Sequence, residues 1–164
     1  MGMRECLPPV PSEDLDHVLA HTRCLWDELR GKRLFITGGT GFFGCWLLES
    51  FAWASRRPDL GASATFLTRD PGVFELKAPH LTKDPSVTLH QGDVRSFEFP
   101  TGPFSHIIHA AAESGTQLNA EQPLTMLDTV IQGIRHVLDF AISRKARNCS
   151  SPAPVRSTAV NRRS

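Results

Sequence analysis

Three glycines stand at three-residue intervals in Thr37-Gly38-Gly39-Thr40-Gly41-Phe42-Phe43-Gly44. Between a strand and a helix, glycines so spaced can hold a pyrophosphate. Gly38 allows the sharp turn out of the strand. Gly41 has no side chain, so phosphates can approach the backbone, and Gly44 lets the new helix pack closely on the sheet. The helix start adds free N–H groups and the positive end of its dipole. A tight turn that binds nothing would use the same glycines, so the flanking elements decide. Further on, Arg69 and Asp70 are adjacent. At the end of a second strand a carboxylate takes ribose hydroxyls, whereas an arginine meets a 2′-phosphate. Arg69 thus favours NADP, and Asp70 is the alternative ribose acceptor. The third reading is a turn at Asp70-Pro71 beside a solvated arginine. His17 and His21 have i, i+4 spacing, which suits a metal. No cysteine or carboxylate cluster joins them in sequence, so they read as exposed helical histidines and no metal site is expected.

These residues need a strand before each turn and a helix after it. The apolar run at 34–37 reads as a buried strand. Residues 42–55 read as its crossover helix, with Trp46, Leu47, Phe51 and Trp53 as bulk, ended by Arg56-Arg57-Pro58. Further strands are expected at 62–68, 87–90 and 104–109, with a loop and short helix over 71–85. From Pro123 onward Met126, Leu127, Val130, Ile131, Ile134, Val137, Leu138 and Ile142 recur at helical spacing, a stripe expected to face the core. Strands alternating with helices indicate an α/β fold with a parallel sheet. Upstream, Ser12 is the expected N-cap, with Glu13 and Asp14 in the first turn. Leu15, Val18, Leu19, Leu25, Trp26 and Leu29 then make one helix that stops at Gly31. It precedes the first strand, where it covers a sheet edge or a neighbouring helix; a dimer contact is the alternative.

The segment Thr37 to Gly44 resembles the TGxxGxxG fingerprint of the extended short-chain dehydrogenases/reductases. This is the NAD-dependent epimerase/dehydratase family, many of whose members act on nucleotide sugars. The resemblance runs from about Lys32 to about Asn148. It implies a Rossmann-type doubly wound sheet, and Thr37, Gly38, Gly41, Phe42, Phe43 and Gly44 around the cofactor phosphates. Gly92-Asp93-Val94 is similar to the family's adenine contact: the Asp93 carboxylate would take the amino group and the Val94 N–H a ring nitrogen. Ala110-Ala111-Ala112 resembles the family's His-Ala-Ala segment beside the ribose and nicotinamide. His109, just before it, reads as a packed, hydrogen-bonded core residue rather than a base. Glu113 and Ser114 resemble the loop that faces the sugar in nucleotide-sugar dehydratases. The family usually has an asparagine where Asp128 or Thr129 falls, which is a local departure.

The family next needs a fifth strand bearing a serine or threonine, then Tyr-x-x-x-Lys. The tyrosine is the acid/base and the lysine lowers its pKa. This chain has no tyrosine and its last lysine is Lys145, so no catalytic residue is expected in it. Cys149-Ser150-Ser151-Pro152-Ala153-Pro154-Val155-Arg156 carries two prolines, which make a poor central strand. Permissible codons for this stretch, regrouped one base earlier, read Leu-Phe-Thr-Ser-Ser-Gly-Ala-Val-Tyr-Gly. That closely resembles the family's fifth strand and serine loop. A lost base near Asn148 and an out-of-frame tail are therefore expected; an intact frame with unrelated codons at the locus would refute this.

The 164 residues suffice for one domain, and 40% hydrophobic with 21% charged residues is a globular balance. The formal net charge of +1 implies no polyanionic partner. After Asp139 no acidic residue follows, and Arg144, Lys145, Arg147, Arg156, Arg162 and Arg163 make the end basic. Without interleaved aromatics this is a weak basis for nucleic-acid binding. Cys6, Cys24, Cys45 and Cys149 have no metal spacing and read as free thiols of a reducing compartment, with the cytoplasm as default. No run reaches transmembrane length. The expected organisation is an N-terminal extension and helix at 1–31, an incomplete NAD(P)-binding domain at 32–148 with strand order 3-2-1-4, and an irregular basic tail at 149–164. The expected activity is that of an NAD(P)-binding fragment, inactive as it stands, of a nucleotide-sugar epimerase or dehydratase. A non-catalytic NADP-binding sensor is the alternative.

Overall fold

The computed structural model describes residues 8–39, 42–56, 60–110 and 123–150. Five strands form one parallel sheet: β1 (Arg33–Thr37), β2 (Ser63–Thr68), β3 (Val87–Gln91), β4 (His106–His109) and β5 (Asn148–Ser150), in the order β3-β2-β1-β4-β5. Alternation along the strands divides the core in two, because successive side chains point to opposite faces. Leu34 and Ile36 join Ala64, Phe66, Leu48 and Phe51 on one face. Phe35 joins Leu67, Ile107, Phe104, Val137 and Phe140 on the other. The second core is largely aromatic: the Phe35 ring lies 4.8 Å from Phe140 and 5.2 Å from Phe97. Both faces are covered by helices, as a parallel sheet requires.

The presence of β5 corrects the expectation that the sheet stops at its fourth strand. His106, Ile107 and Ile108 pair with Asn148, Cys149 and Ser150. Lys145 turns the chain at φ 53°. The N–H groups of Arg147 and Asn148 then donate to the Ser105 carbonyl at 2.9 and 3.2 Å, which sets the register. Pro152 and Pro154 come too late to interrupt these three residues. Cys149 and Ser150 therefore belong to the sheet and not to an irregular tail; the tail beyond them lies outside the described residues.

The N-terminal helix is two helices, α1 (Ser12–His21) and α2 (Arg23–Glu28). They part at Thr22, whose hydroxyl donates to the Val18 carbonyl at 2.6 Å and accepts from the Trp26 indole at 2.8 Å. Such local side-chain bonds compete with the helical ladder. Ser12 does not cap α1: it is the first helical residue, and the Pro11 carbonyl accepts from the Asp14 and Leu15 N–H groups instead. Gly31 ends the segment at φ 63°, a conformation that favours glycine. α1 buries Leu15 and Leu19 against α3 (Phe42–Ser55), and the Trp53 indole donates to Asp16 at 2.9 Å. The added helix thus covers a neighbouring helix.

Between β2 and β3 lie the short helices α4 (Pro71–Lys77) and α5 (Pro79–Thr82), which bury Phe74 and Leu81 in the first core. The long α6 (Pro123–Ser143) covers the other face with Gly133, Val137, Phe140 and Ala141. Here the expected stripe needs correction. Val137 is core and Val130 and Ile134 are half-buried, but Leu127, Ile131, Leu138 and Ile142 are exposed, as is Leu124. The helix carries apolar residues on more than one face, and only one of those faces meets the sheet. The Met126 side chain lies outside the described residues.

Candidate functional site

The candidate residues gather at the C-terminal ends of β1 to β4, where loops leave a parallel sheet. At the end of β1, Thr37 is fully buried and Gly38 follows at φ 79°, which an L side chain rarely adopts. The chain then turns into α3. A Cβ on Gly44 would lie 1.9 Å from the Gly39 Cα and 2.6 Å from the Gly38 carbonyl oxygen. Gly44 therefore packs its helix against the backbone of the turn itself, whereas the sequence reading set it against the sheet. A Cβ on Gly39 would lie 2.2 Å from the Phe66 ring. The Cys45 thiol donates to the Gly39 carbonyl at 3.3 Å, and burial pushes its pKa up. Phe43 is 69% exposed at the rim of the turn. Gly41 and the Phe42 side chain lie outside the described residues. The described part of the turn is thus a glycine cradle packed so closely that neither Gly39 nor Gly44 has room for a Cβ.

The ends of β2 and β3 form a second corner. Thr68 pairs with Gln91, and the Gly92 N–H donates to the Thr68 carbonyl at 2.9 Å. This brings Arg69 beside Gly92-Asp93-Val94. Asp70 is committed elsewhere: its carboxylate caps α4 by accepting the Val73 N–H at 3.0 Å. Asp93 accepts from Arg95 through both oxygens, at 2.7 Å from Nε and 3.0 Å from a terminal nitrogen. The Arg95 guanidinium holds the Asp93 carboxyl below its ordinary pKa, with Arg69 adding a weaker pull in the same direction. Val94 sits under α6, where a Cβ on Gly133 would lie 3.1 Å from it.

At the exit of β4, the Ala110 N–H donates to the Thr37 carbonyl at 3.0 Å. His109 is buried, as expected, and its Nδ1 lies 2.8 Å from Thr37 Oγ1. Ala111, Ala112, Glu113 and Ser114 lie outside the described residues. The structure therefore brings Thr37, Gly38, Gly44 and Ala110 to one place and Arg69, Asp93 and Val94 to its neighbour.

Sequence reasoning missed Gly39, whose need for a missing side chain comes from Phe66, far off in sequence. It also missed Arg95, although the Asp-x-Arg spacing was visible. His17 and His21 are exposed neighbours on α1, and among the described residues no group of three His, Cys, Asp or Glu can hold a metal. No described helix is long and apolar enough to cross a membrane. A cleft between α1, α2 and the end of α3, lined by Arg23, Trp26, Arg30 and Leu60, lies at the opposite end of the sheet and contains none of these residues.

A family model described as the NAD dependent epimerase/dehydratase family matches residues 34–153. The chain is 30% identical over 119 residues to a CDP-glucose 4,6-dehydratase of Salmonella typhimurium, a match covering 67% of this chain and 30% of that protein. Among solved structures it resembles DesIV, a dTDP-glucose 4,6-dehydratase of Streptomyces venezuelae with NAD and TYD bound, at 25% identity and a TM-score of 0.56 over 71% of this chain and 38% of that one. It also shares the fold of Pen from Bacillus thuringiensis, with a TM-score of 0.61 at 19% identity over 75% of this chain and 38% of that one. The chain thus spans about a third of the length of these proteins.

Proposed function

The chain belongs to the NAD dependent epimerase/dehydratase family, and on that premise we propose that it is the dinucleotide-binding part of an enzyme acting on a nucleotide sugar. The observation that carries this reading is the glycine cradle, with Gly38 at φ 79° and Gly44 pressed on Gly39 between buried β1 and α3. A pyrophosphate would lie against the backbone of this turn, where the start of α3 offers its free N–H groups. A nicotinamide cofactor, when bound, would supply hydride-transfer chemistry. This chain's residues would supply the holding: Thr37, Gly38, Gly41, Phe42, Phe43 and Gly44 at the phosphates, Val94 and Asp93, whose carboxylate also holds Arg95, at the adenine, and Ala110, Ala111 and Ala112 along the nicotinamide ribose. The family resemblance assigns Glu113 and Ser114 to the sugar. CDP- or dTDP-linked glucose is the substrate class the dehydratase relatives suggest.

The cofactor reading favours NADP over NAD. Asp70 caps α4, so the carboxylate nearest the end of β2 is already engaged with a backbone N–H. Arg69 stands at the same strand end, where a 2′-phosphate would arrive. Titration calorimetry of the 164-residue chain with NAD and NADP tests both points. Binding of either cofactor is expected, and its absence would refute the dinucleotide reading. Arg69→Ala is expected to weaken NADP about tenfold and to leave NAD within about twofold, because a charge-assisted bond is lost only with NADP. An unchanged ratio would refute the 2′-phosphate contact alone.

A second reading is a cofactor-binding module without catalysis. Both readings expect the cytoplasm, share the same site and expect no turnover from the 164 residues alone; they part at whether restoring the downstream sequence yields activity.

A further inference from the structure

We propose that His109 is a positioning residue which, through Thr37, fixes the separation between the glycine turn and the exit of β4. The inference rests on the dinucleotide reading above and assigns a task that the cofactor contacts alone do not contain.

A dinucleotide touches the sheet at two places beyond its adenine end. The pyrophosphate lies on the turn after β1, and the nicotinamide ribose lies by the loop after β4. The two loops leave adjacent strands, paired Thr37 to His109 in register. Thr37 is tied across that gap twice. Its carbonyl accepts the Ala110 N–H at 3.0 Å, and its hydroxyl meets His109 Nδ1 at 2.8 Å. The first bond is backbone alone and would form with most residues at these positions. The second depends on these two side chains. Both are almost wholly inside, Thr37 at 0% and His109 at 6% exposure. An apolar pair would join two strand ends at lower desolvation cost. A buried polar pair has directional geometry, so it defines one arrangement of the strand ends. The residue after Thr37 is Gly38 at φ 79°, so Thr37 is the last strand residue before the turn. Burial holds the His109 imidazole below its usual pKa, which keeps it neutral, with one ring nitrogen donating and one accepting.

The test separates the two ends of the ligand. AMP needs the adenine corner and one phosphate contact; NAD needs the turn and the β4 exit in correct relation. Calorimetric titrations of the 164-residue chain with AMP and with NAD are compared for the unmodified protein, His109→Phe and His109→Asn. Phenylalanine keeps a ring and removes the nitrogen. Asparagine places a polar atom the same number of bonds from the backbone. His109→Phe is expected to weaken NAD about tenfold and AMP by less than about twofold, with His109→Asn restoring NAD. Should His109→Phe not fold, His109→Leu, which matches asparagine in shape and lacks the polar atom, carries the test with the same expected split. Equal weakening of AMP and NAD, or no restoration by asparagine, would overturn the positioning role. An unmodified chain that binds neither ligand would instead overturn the dinucleotide reading itself.

Discussion

Gly44→Ala is expected to abolish detectable dinucleotide binding and to lower the melting temperature by about 10 °C. The added methyl would lie 1.9 Å from the Gly39 Cα and 2.6 Å from the Gly38 carbonyl oxygen. Neither neighbour is a side chain that can swing away, so the helix or the turn must move. Over-packing of this kind costs about 3 kcal/mol at the upper end of its usual range. In a domain of this size that corresponds to a shift of about 10 °C. Binding suffers more than stability, because the displaced atoms are those a pyrophosphate would approach. Gly72→Ala is the matched control. Its Cβ would meet only the Asp70 Oδ1 at an ordinary 3.6 Å, so near-unchanged melting is expected. Scanning calorimetry and NAD titration of both variants provide the measurement. A Gly44→Ala protein with unchanged melting and affinity would remove the cradle from the argument.

The second large effect concerns turnover. The chain supplied with NAD or NADP and a CDP- or dTDP-glucose is expected to show no hydride transfer, followed as nicotinamide absorbance and as sugar product. The family's proton transfer runs through a tyrosine, and this chain has none. Losing a general acid/base costs about 10²–10⁴-fold in rate. Restoring the frame proposed for residues after Asn148 would return the serine loop, with the Tyr-x-x-x-Lys expected beyond it. That version is expected to gain activity if the sequence downstream completes the site. Turnover by the chain as it stands would refute the catalytic assignment. Self-association is also expected: Leu124, Ile131 and Ile142 are 75, 55 and 76% exposed on α6, and contiguous apolar surface of this kind promotes contact between molecules. The β4 edge is not the cause, since β5 pairs with it.

The glycine turn was readable because its requirements are local. A strand, a φ that only glycine favours and a helix follow one another within a dozen residues. A parallel sheet was readable from the alternation of strands and helices, while the order of its first four strands came with the family resemblance. The break at Thr22 was not, because it depends on a hydroxyl bonded to residues four before and four after it, inside a sequence with good helical periodicity. β5 was missed because prolines two residues beyond its end dominated the reading, while three residues suffice for pairing with an apolar neighbour. The stripe on α6 showed that a face was apolar without showing which neighbour, if any, covers it. In the site, the sequence assigned Arg69 to a 2′-phosphate with Asp70 as the alternative at the ribose, and it did not show that Asp70 caps α4 through Val73.

The division of the core into two chemically different halves has a spectroscopic consequence. All three tryptophans, Trp26, Trp46 and Trp53, belong to the helices on the α1 and α3 side of the sheet, and Trp26 and Trp53 pack against the first core. The α6 side is built on Phe35, Phe97, Phe104 and Phe140, and no tyrosine is present anywhere. Emission excited at the red edge of the absorption band therefore reports on one layer, while the other stays dark. Backbone circular dichroism reports on both. Coincident denaturation curves from the two probes would mean that the layers melt as one unit. A fluorescence transition displaced from the dichroism transition would identify the phenylalanine layer, with α6, as a separately melting half.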